Sequence, residues 1–248
     1  DGKPEPKVYA IAESNEINRN HLQFFGTHLS DTERKLALDQ IEGLLDTFID
    51  AREYGSILNV DACDWELLER FVDDLGTSGQ ISFESVGSEE TQEQLRKLVR
   101  VAQNLGQKYD AVVTNPPYMG NSGMNIKLSE FVKKHYSNAK SDLFAVFMER
   151  SDQLAKNNGF TSLITMESWM FLSSFEGIRM NIAANKTIIN MVHMPYLGKG
   201  GTSLGINFGT AAVVMKKVRV HEYIGQYEYT VYYECNEDGV PYKFPTYN

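Results

Sequence analysis

From Tyr109 onward, short apolar runs alternate with amphipathic stretches, and that alternation restricts the chain more than any other feature. Short apolar runs bounded by turn-forming residues read as strands buried in a sheet, and the helical periodicity between them reads as covering helices. The predicted strands are Tyr109–Val113, Phe160–Thr165, Thr187–His193 and Gly209–Val218. One predicted helix starts at Ser141, carries Leu143, Phe144, Phe147, Met148 and Leu154 on one face, and stops near Asn158-Gly159; a second runs from Ser174 to Ala184. The expected fold class is α/β, a mostly parallel sheet with helices on both faces, in which the strand ending at Thr114 is central.

Before Tyr109 the pattern changes. Val8–Ala12 is a short, partly β-branched apolar run that stops at Glu13-Ser14-Asn15, which predicts a buried strand followed by a helix to about Phe25. From Asp31, Leu36, Leu38, Ile41, Leu44, Leu45, Phe48 and Ile49 recur at helical spacing, with Ser30 or Asp31 as N-cap and Gly55 as the stop. Ser56–Val60 reads as a further short strand, Asp64 opens a helix through Val72, Gly76–Ser88 is a loop, and Glu89–Leu105 is a helix closed by Gly106. Three segments follow: 1–107, a strand plus an acidic helical stretch; 108–220, the alternating half; and 221–248, a tail with Tyr227, Tyr229, Tyr232 and Tyr233 that reads as an edge strand.

Composition narrows the chemistry. Cys63 and Cys235 stand too far apart for a zinc ribbon, and His21, His28, His135, His193 and His221 show no ligand spacing, so no metal is expected. With two distant cysteines offering no disulfide framework, a reducing cytoplasm is the expected location; no apolar run approaches the ~20 residues of a bilayer span, and Asp1–Pro6 lacks the charged and apolar regions of a signal peptide. The net charge of −9 argues against nucleic acid at first sight, yet it is uneven: −11 over 1–107, +6 over 108–220 and −4 over 221–248. A basic segment between acidic flanks is compatible with a polyanionic partner, and equally with an ordinary solvated surface.

The strongest local signal is Asp110-Ala111-Val112-Val113-Thr114-Asn115-Pro116-Pro117-Tyr118, a strand running straight into two prolines and an aromatic. Strand ends at the carboxyl edge of an open α/β sheet are where ligands bind. Two prolines fix two φ angles and remove two donors, leaving a stiff turn with outward carbonyls.

With this tetrapeptide the chain resembles the amino-group DNA methyltransferases that use S-adenosylmethionine, in its adenine-N6 form. The likeness extends through Lys140-Ser141-Asp142-Leu143-Phe144, Asn158–Thr165 with Glu167-Ser168-Trp169-Met170 beyond it, Ile188–Val192 and Thr210–Met215. In particular, it is similar to the large single-chain enzymes of bacterial phage defence. The resemblance implies a Rossmann-like methyltransferase fold, S-adenosylmethionine as cofactor, and double-stranded DNA with a flipped adenine as partner, with other defence subunits alongside. It implies catalytic roles for Asn115, Pro116, Pro117 and Tyr118, with the Asn115 oxygen and the Pro116 carbonyl accepting the two N6 hydrogens and Tyr118 stacking on the extruded base.

The resemblance also locates a gap. The family's Gly-rich cofactor loop precedes the tetrapeptide, no strand followed by GxG is found here, and Gly198–Gly205 comes after the catalytic strand; a piece of a longer protein is therefore expected. Glu13 is the candidate cofactor contact, with helix capping as its competing role. Lys127, Lys133, Lys134 and Lys140 are candidate phosphate contacts, and Phe208 and Tyr196 candidate walls of the base pocket. Asp142 is expected to serve the first turn of its helix. Two other functions fit the same residues: a protein glutamine methyltransferase, whose amide nitrogen poses the same lone-pair problem, and a non-catalytic scaffold binding DNA or a partner.

Overall fold

Ser30 fixes the start of the first long helix. Its hydroxyl accepts the Glu33 N–H at 3.3 Å while the Glu33 carboxylate accepts the Ser30 N–H at 3.1 Å, a reciprocal cap for two otherwise orphaned amides. The computed structural model describes residues 5–76, 86–195 and 208–230, which divide between two units, Asp1–Gln107 and Lys108–Asn248.

The first unit is helical: α1 (Asp31–Thr47), α2 (Ala51–Tyr54), α3 (Trp65–Asp73) and α4 (Ser88–Gly106). Ala37, Ile41, Leu44 and Leu45 of α1 are buried, as are Leu67, Leu68, Phe71 and Val72 of α3 and Leu95, Leu98, Val99 and Ala102 of α4. α3 packs against both α1 and α4, so the three apolar stripes share one core. Full burial of a side chain such as Phe71 contributes about 1.5–3 kcal/mol.

Several expectations for this unit are corrected. Val8–Ala12 is not a strand; Val8 is 91% exposed, and among the described residues no segment pairs with this run. An apolar run becomes a strand only where a neighbour completes its ladder. Ser56–Val60 likewise forms a 3-10 turn, Gly55–Ile57, and an irregular stretch, and the helix expected to reach Phe25 is a 3-10 helix, Arg19–Phe24. The first long helix ends at Thr47 rather than Gly55. Asp50 takes a left-handed φ of 54°, held there by Asn15, whose side chain donates to the Asp50 carboxylate at 3.0 Å and accepts its N–H at 2.9 Å.

The second unit contains β1 (Tyr109–Thr114), α5 (Ile126–His135), α6 (Leu143–Leu154), β2 (Ala155–Met166), α7 (Glu176–Asn185), β3 (Thr187–Met194), β4 (Thr210–Lys216) and β5 (Gln226–Tyr229). The sheet order is β1-β2-β4-β3-β5, with β1–β2 and β3–β5 parallel and both pairings of β4 antiparallel. Four strands thus share a direction and β4 is reversed, so the sheet is mixed. Among the described residues β1 is an edge strand, not a central one. Its apolar run is only Ala111-Val112-Val113, and Val113 is 76% exposed because it lies on a face of the sheet left open among the described residues.

Asn158-Gly159 does not stop a helix. α6 already ends at Leu154, and Asn158, at φ 65°, lies in a bulge where the pairing jumps from Tyr109↔Ala155 to Ala111↔Phe160. The carbonyls at the end of α6 are met by lysines: Lys108 Nζ donates to Gln153 O and Lys217 Nζ to Asp152 O, both at 2.6 Å. Positive charge at a helix C-terminus answers the unpaired carbonyl dipoles. On the sheet, Thr161, Leu163, Thr165, Ala211, Val213 and Met215 are buried, and α6 packs on β1 and β2. The opposite face is open at Val113, Phe160 and Ile164.

Candidate active site

Asn115-Pro116-Pro117-Tyr118 leaves the carboxyl end of β1 directly after Thr114. Pro116 is buried, Tyr118 is half-buried, and Asn115 and Pro117 are exposed. Because neither proline has an N–H, the segment cannot continue the ladder and departs as a stiff arm.

The arm is tied down at Tyr118. Its Oη lies 3.1 Å from the Ile164 carbonyl of β2 and 3.2 Å from Asn115 Oδ1. A phenol carries one hydrogen, so these two acceptors compete for it. When the hydroxyl donates to Ile164 O, both lone pairs of Asn115 Oδ1 stay available to an incoming donor. Burial pushes the Tyr118 pKa up, which keeps the hydroxyl a neutral donor.

Around Tyr118 the rings form a chain. Phe208 meets it edge to face with centroids 5.2 Å apart, Phe144 stands at 6.4 Å, and Phe144 meets Phe175 at 5.4 Å. Phe208 therefore lies against Tyr118. Tyr196 and Gly198–Gly205 lie outside the described residues.

Beyond Tyr118 the chain is fastened to α6. Asp142, not Ser141, is the N-cap: its Oδ1 accepts the Phe144 N–H at 3.2 Å and the Met119 N–H at 3.1 Å. The Leu143 N–H returns a bond to Met119 O at 2.9 Å, and Asn121 N–H bonds Ser141 O at 3.0 Å. Burial pushes the Asp142 carboxyl up, and the amide hydrogens of Phe144, Met119 and Leu143 only partly offset it.

Lys127, Lys133, Lys134 and Lys140 are all exposed. The first three belong to α5, which Ser129 ties to the turn after the arm through a 2.9 Å bond to Asn121 Oδ1. Lys133, Lys134 and His135 fill the last turn of α5, where positive charge also serves the helix dipole. Burial, with the charge of Lys134, holds the His135 pKa down.

Glu13 lies in the first unit. Its Oε1 accepts the Arg52 N–H in α2 at 3.1 Å and its Oε2 pairs with Arg52 Nη1 at 3.3 Å, so one oxygen meets a helix amide and the other a guanidinium. Among the described residues no group of three or more His, Cys, Asp or Glu is arranged to hold a metal, and no helix is long and apolar enough to cross a membrane.

Two features were not foreseen. The Ile164 carbonyl as anchor for Tyr118 has no side-chain signature and cannot be read from residue types. The contact of Glu167 with His193, at 2.6 Å, joins residues 26 apart; a carboxylate at the end of an apolar strand was its only signal.

Residues 15–198 match the family described as Eco57I restriction-modification methylase, and the chain belongs to that family. It is 38% identical over 204 residues to the adenine-specific methyltransferase PglX of Lacticaseibacillus casei (strain Zhang), covering 79% of this chain and 16% of that protein. It is 43% identical over 150 residues to the adenine-specific methyltransferase BrxX of Escherichia coli O9:H4 (strain HS), covering 59% of this chain and 12% of that one. The chain thus spans less than a sixth of the length of these curated relatives. Among solved structures it is similar to the ATP-dependent type ISP restriction-modification enzyme LlaBIII bound to DNA, at 17% identity and a TM-score of 0.36, over 58% of this chain and 11% of that one.

Proposed function

We propose that this chain is the acceptor-orienting part of an S-adenosylmethionine-dependent DNA adenine-N6 methyltransferase of restriction-modification or phage defence. The observation that carries the reading is the exposed Asn115 Oδ1 at the carboxyl end of β1, beside a Tyr118 hydroxyl that has a second acceptor in Ile164 O. Membership of a methylase family and the names of the two curated relatives support it.

The amino nitrogen of adenine is a poor nucleophile because its lone pair is delocalised into the ring. Asn115 Oδ1 and the Pro116 carbonyl accept its two hydrogens, draw it toward a tetrahedral arrangement and aim the lone pair; Pro117 keeps that carbonyl rigid. This is positioning and charge stabilisation by preset acceptors. Tyr118 offers a ring to the extruded base, with Phe208 beside it. Lys127, Lys133, Lys134 and Lys140 contact backbone phosphates.

S-adenosylmethionine supplies the electrophilic methyl group when bound. Glu13, the candidate contact to it, makes one bond to Arg52 through each carboxylate oxygen. The described residues of this chain act on the acceptor.

The test uses the full-length protein. DNA from a host expressing it contains N6-methyladenine, and Asn115→Ala removes that mark while the circular dichroism spectrum is unchanged. Retained methylation in the variant refutes the assigned role. Methyl groups found on protein glutamines and not on DNA support the glutamine reading instead.

A further inference from the structure

Glu167 follows β2, His193 lies near the end of β3, and Gly209 immediately precedes β4, so three segments converge at one edge of the sheet. His193 Nε2 stands 2.6 Å from Glu167 Oε2, with the two side chains only 20% and 16% exposed. The Glu167 N–H donates to Gly209 O at 2.9 Å. The same carboxylate lies flat against the Gly209 Cα: a Cβ there would fall 2.2 Å from Glu167 Cδ and 2.4 Å from each oxygen. Any residue but glycine would expel the carboxylate.

His193 is itself held. The Tyr229 ring of β5 packs edge to face on it at 5.3 Å, and its carbonyl accepts the Thr230 N–H at 2.9 Å. Glu167 therefore grips Gly209 with backbone and side chain together, from a base that cannot drift. One residue before the grip stands Phe208, the ring that meets Tyr118 at 5.2 Å.

We propose that the Glu167–His193 pair is a positioning device for Phe208: it pins the backbone at Gly209 so that the Phe208 ring keeps its place beside Tyr118 and swings by side-chain rotation alone when a base enters. The inference rests on the methyltransferase reading above and adds Glu167, His193 and Gly209 to it. Neither Glu167 nor His193 touches the reacting atoms. Their effect passes through Phe208.

That dependence gives the test. Full-length protein is assayed with radiolabelled S-adenosylmethionine and plasmid DNA from a host lacking adenine methylation. Glu167→Ala lowers kcat about tenfold with KM for S-adenosylmethionine unchanged; Phe208→Ala does the same, and the double variant stays within about twofold of either single one, as residues acting as one unit require. Glu167→Gln, which still reaches His193 and still fits over glycine, recovers most of the loss and excludes misfolding as its cause. Gly209→Ala, whose methyl group displaces the carboxylate, reproduces Glu167→Ala.

Losses that multiply in the double variant, or a Gln variant no better than Ala, overturn the inference alone if Asn115→Ala still silences the wild-type activity. A wild-type protein that forms no N6-methyladenine overturns the inference together with the function beneath it.

Discussion

Asp142 accepts the Met119 N–H at 3.1 Å with the same oxygen that caps α6, so the residue after the Asn-Pro-Pro-Tyr arm is fixed to the start of a helix. Helix stability and site geometry therefore share one carboxylate. Asp142→Ala is expected to cost about 1 kcal/mol, the usual worth of an N-cap, and to reduce methyl transfer; Asp142→Asn preserves both. Urea unfolding and a methylation assay on the same variants check this. Because burial raises the Asp142 pKa in the fold, its contribution to stability falls as pH rises through 3.8 toward the folded value. The Asn variant therefore gains on the wild type over that rise.

Asp74 behaves in the opposite way. Burial pushes its carboxyl up, but the backbone N–H and ring of His28 and the hydroxyl of Thr27 outweigh that and hold it below the usual value. A lowered carboxyl stabilises above pH 3.8 and loses that contribution as pH falls through its folded pKa. Acid titration followed by circular dichroism is expected to show the first unit loosening below that point, with a smaller acid dependence in Asp74→Asn.

Lys186 and Asp152 form an ion pair at 3.1 Å in which the lysine side chain is only 5% exposed. The Asp152 oxygen has no directed hydrogen bond there, so the contact is one of charge. Lys186→Met leaves a carboxylate without its cation and is expected to destabilise by about 3–5 kcal/mol, whereas Lys186→Met with Asp152→Leu recovers much of it. Paired denaturant curves decide; a harmless single variant contradicts the assignment.

Tyr118→Phe keeps the ring and deletes the hydroxyl shared by Ile164 O and Asn115 Oδ1. The loss expected is about 1 kcal/mol, roughly fivefold in rate, the net worth of one hydrogen bond. Tyr118→Ala also forfeits base stacking worth ~1–3 kcal/mol. Asn115→Ala remains the most damaging of the three, and initial rates of methyl transfer to DNA rank them.

What was legible in the sequence was whatever a single segment decides. The ends of α3 and α4, and the positions of β1, β3 and β4, follow from local caps and apolar runs: Asp64 Oδ1 does accept the Leu67 N–H at 3.0 Å. What distant residues decide was not legible. Asn158-Gly159 carries the residue types of a helix stop and is used as a strand bulge, because Lys156–Gly159 of β2 stand opposite the single Asp110 of β1. Asp50 ends α1 because Asn15 seizes it, and β4 enters between β2 and β3 by a route that no residue announces. At the site, the tetrapeptide was visible and its anchors were not, since Ile164 acts through its carbonyl and Glu167 through the fold.

β1 pairs only with β2 among the described residues, and the consequence concerns how copies of this chain treat one another. An edge strand is a template on which another strand can build. Val113, Phe160 and Ile164 lie exposed beside it and would reward such growth. At the start of β1, Asp110 is paired with Lys156 of β2, whose Nζ donates to both carboxylate oxygens, at 2.9 and 3.0 Å. That ion pair keeps charged groups at the start of the edge, and charge on an edge strand discourages another strand from adding there.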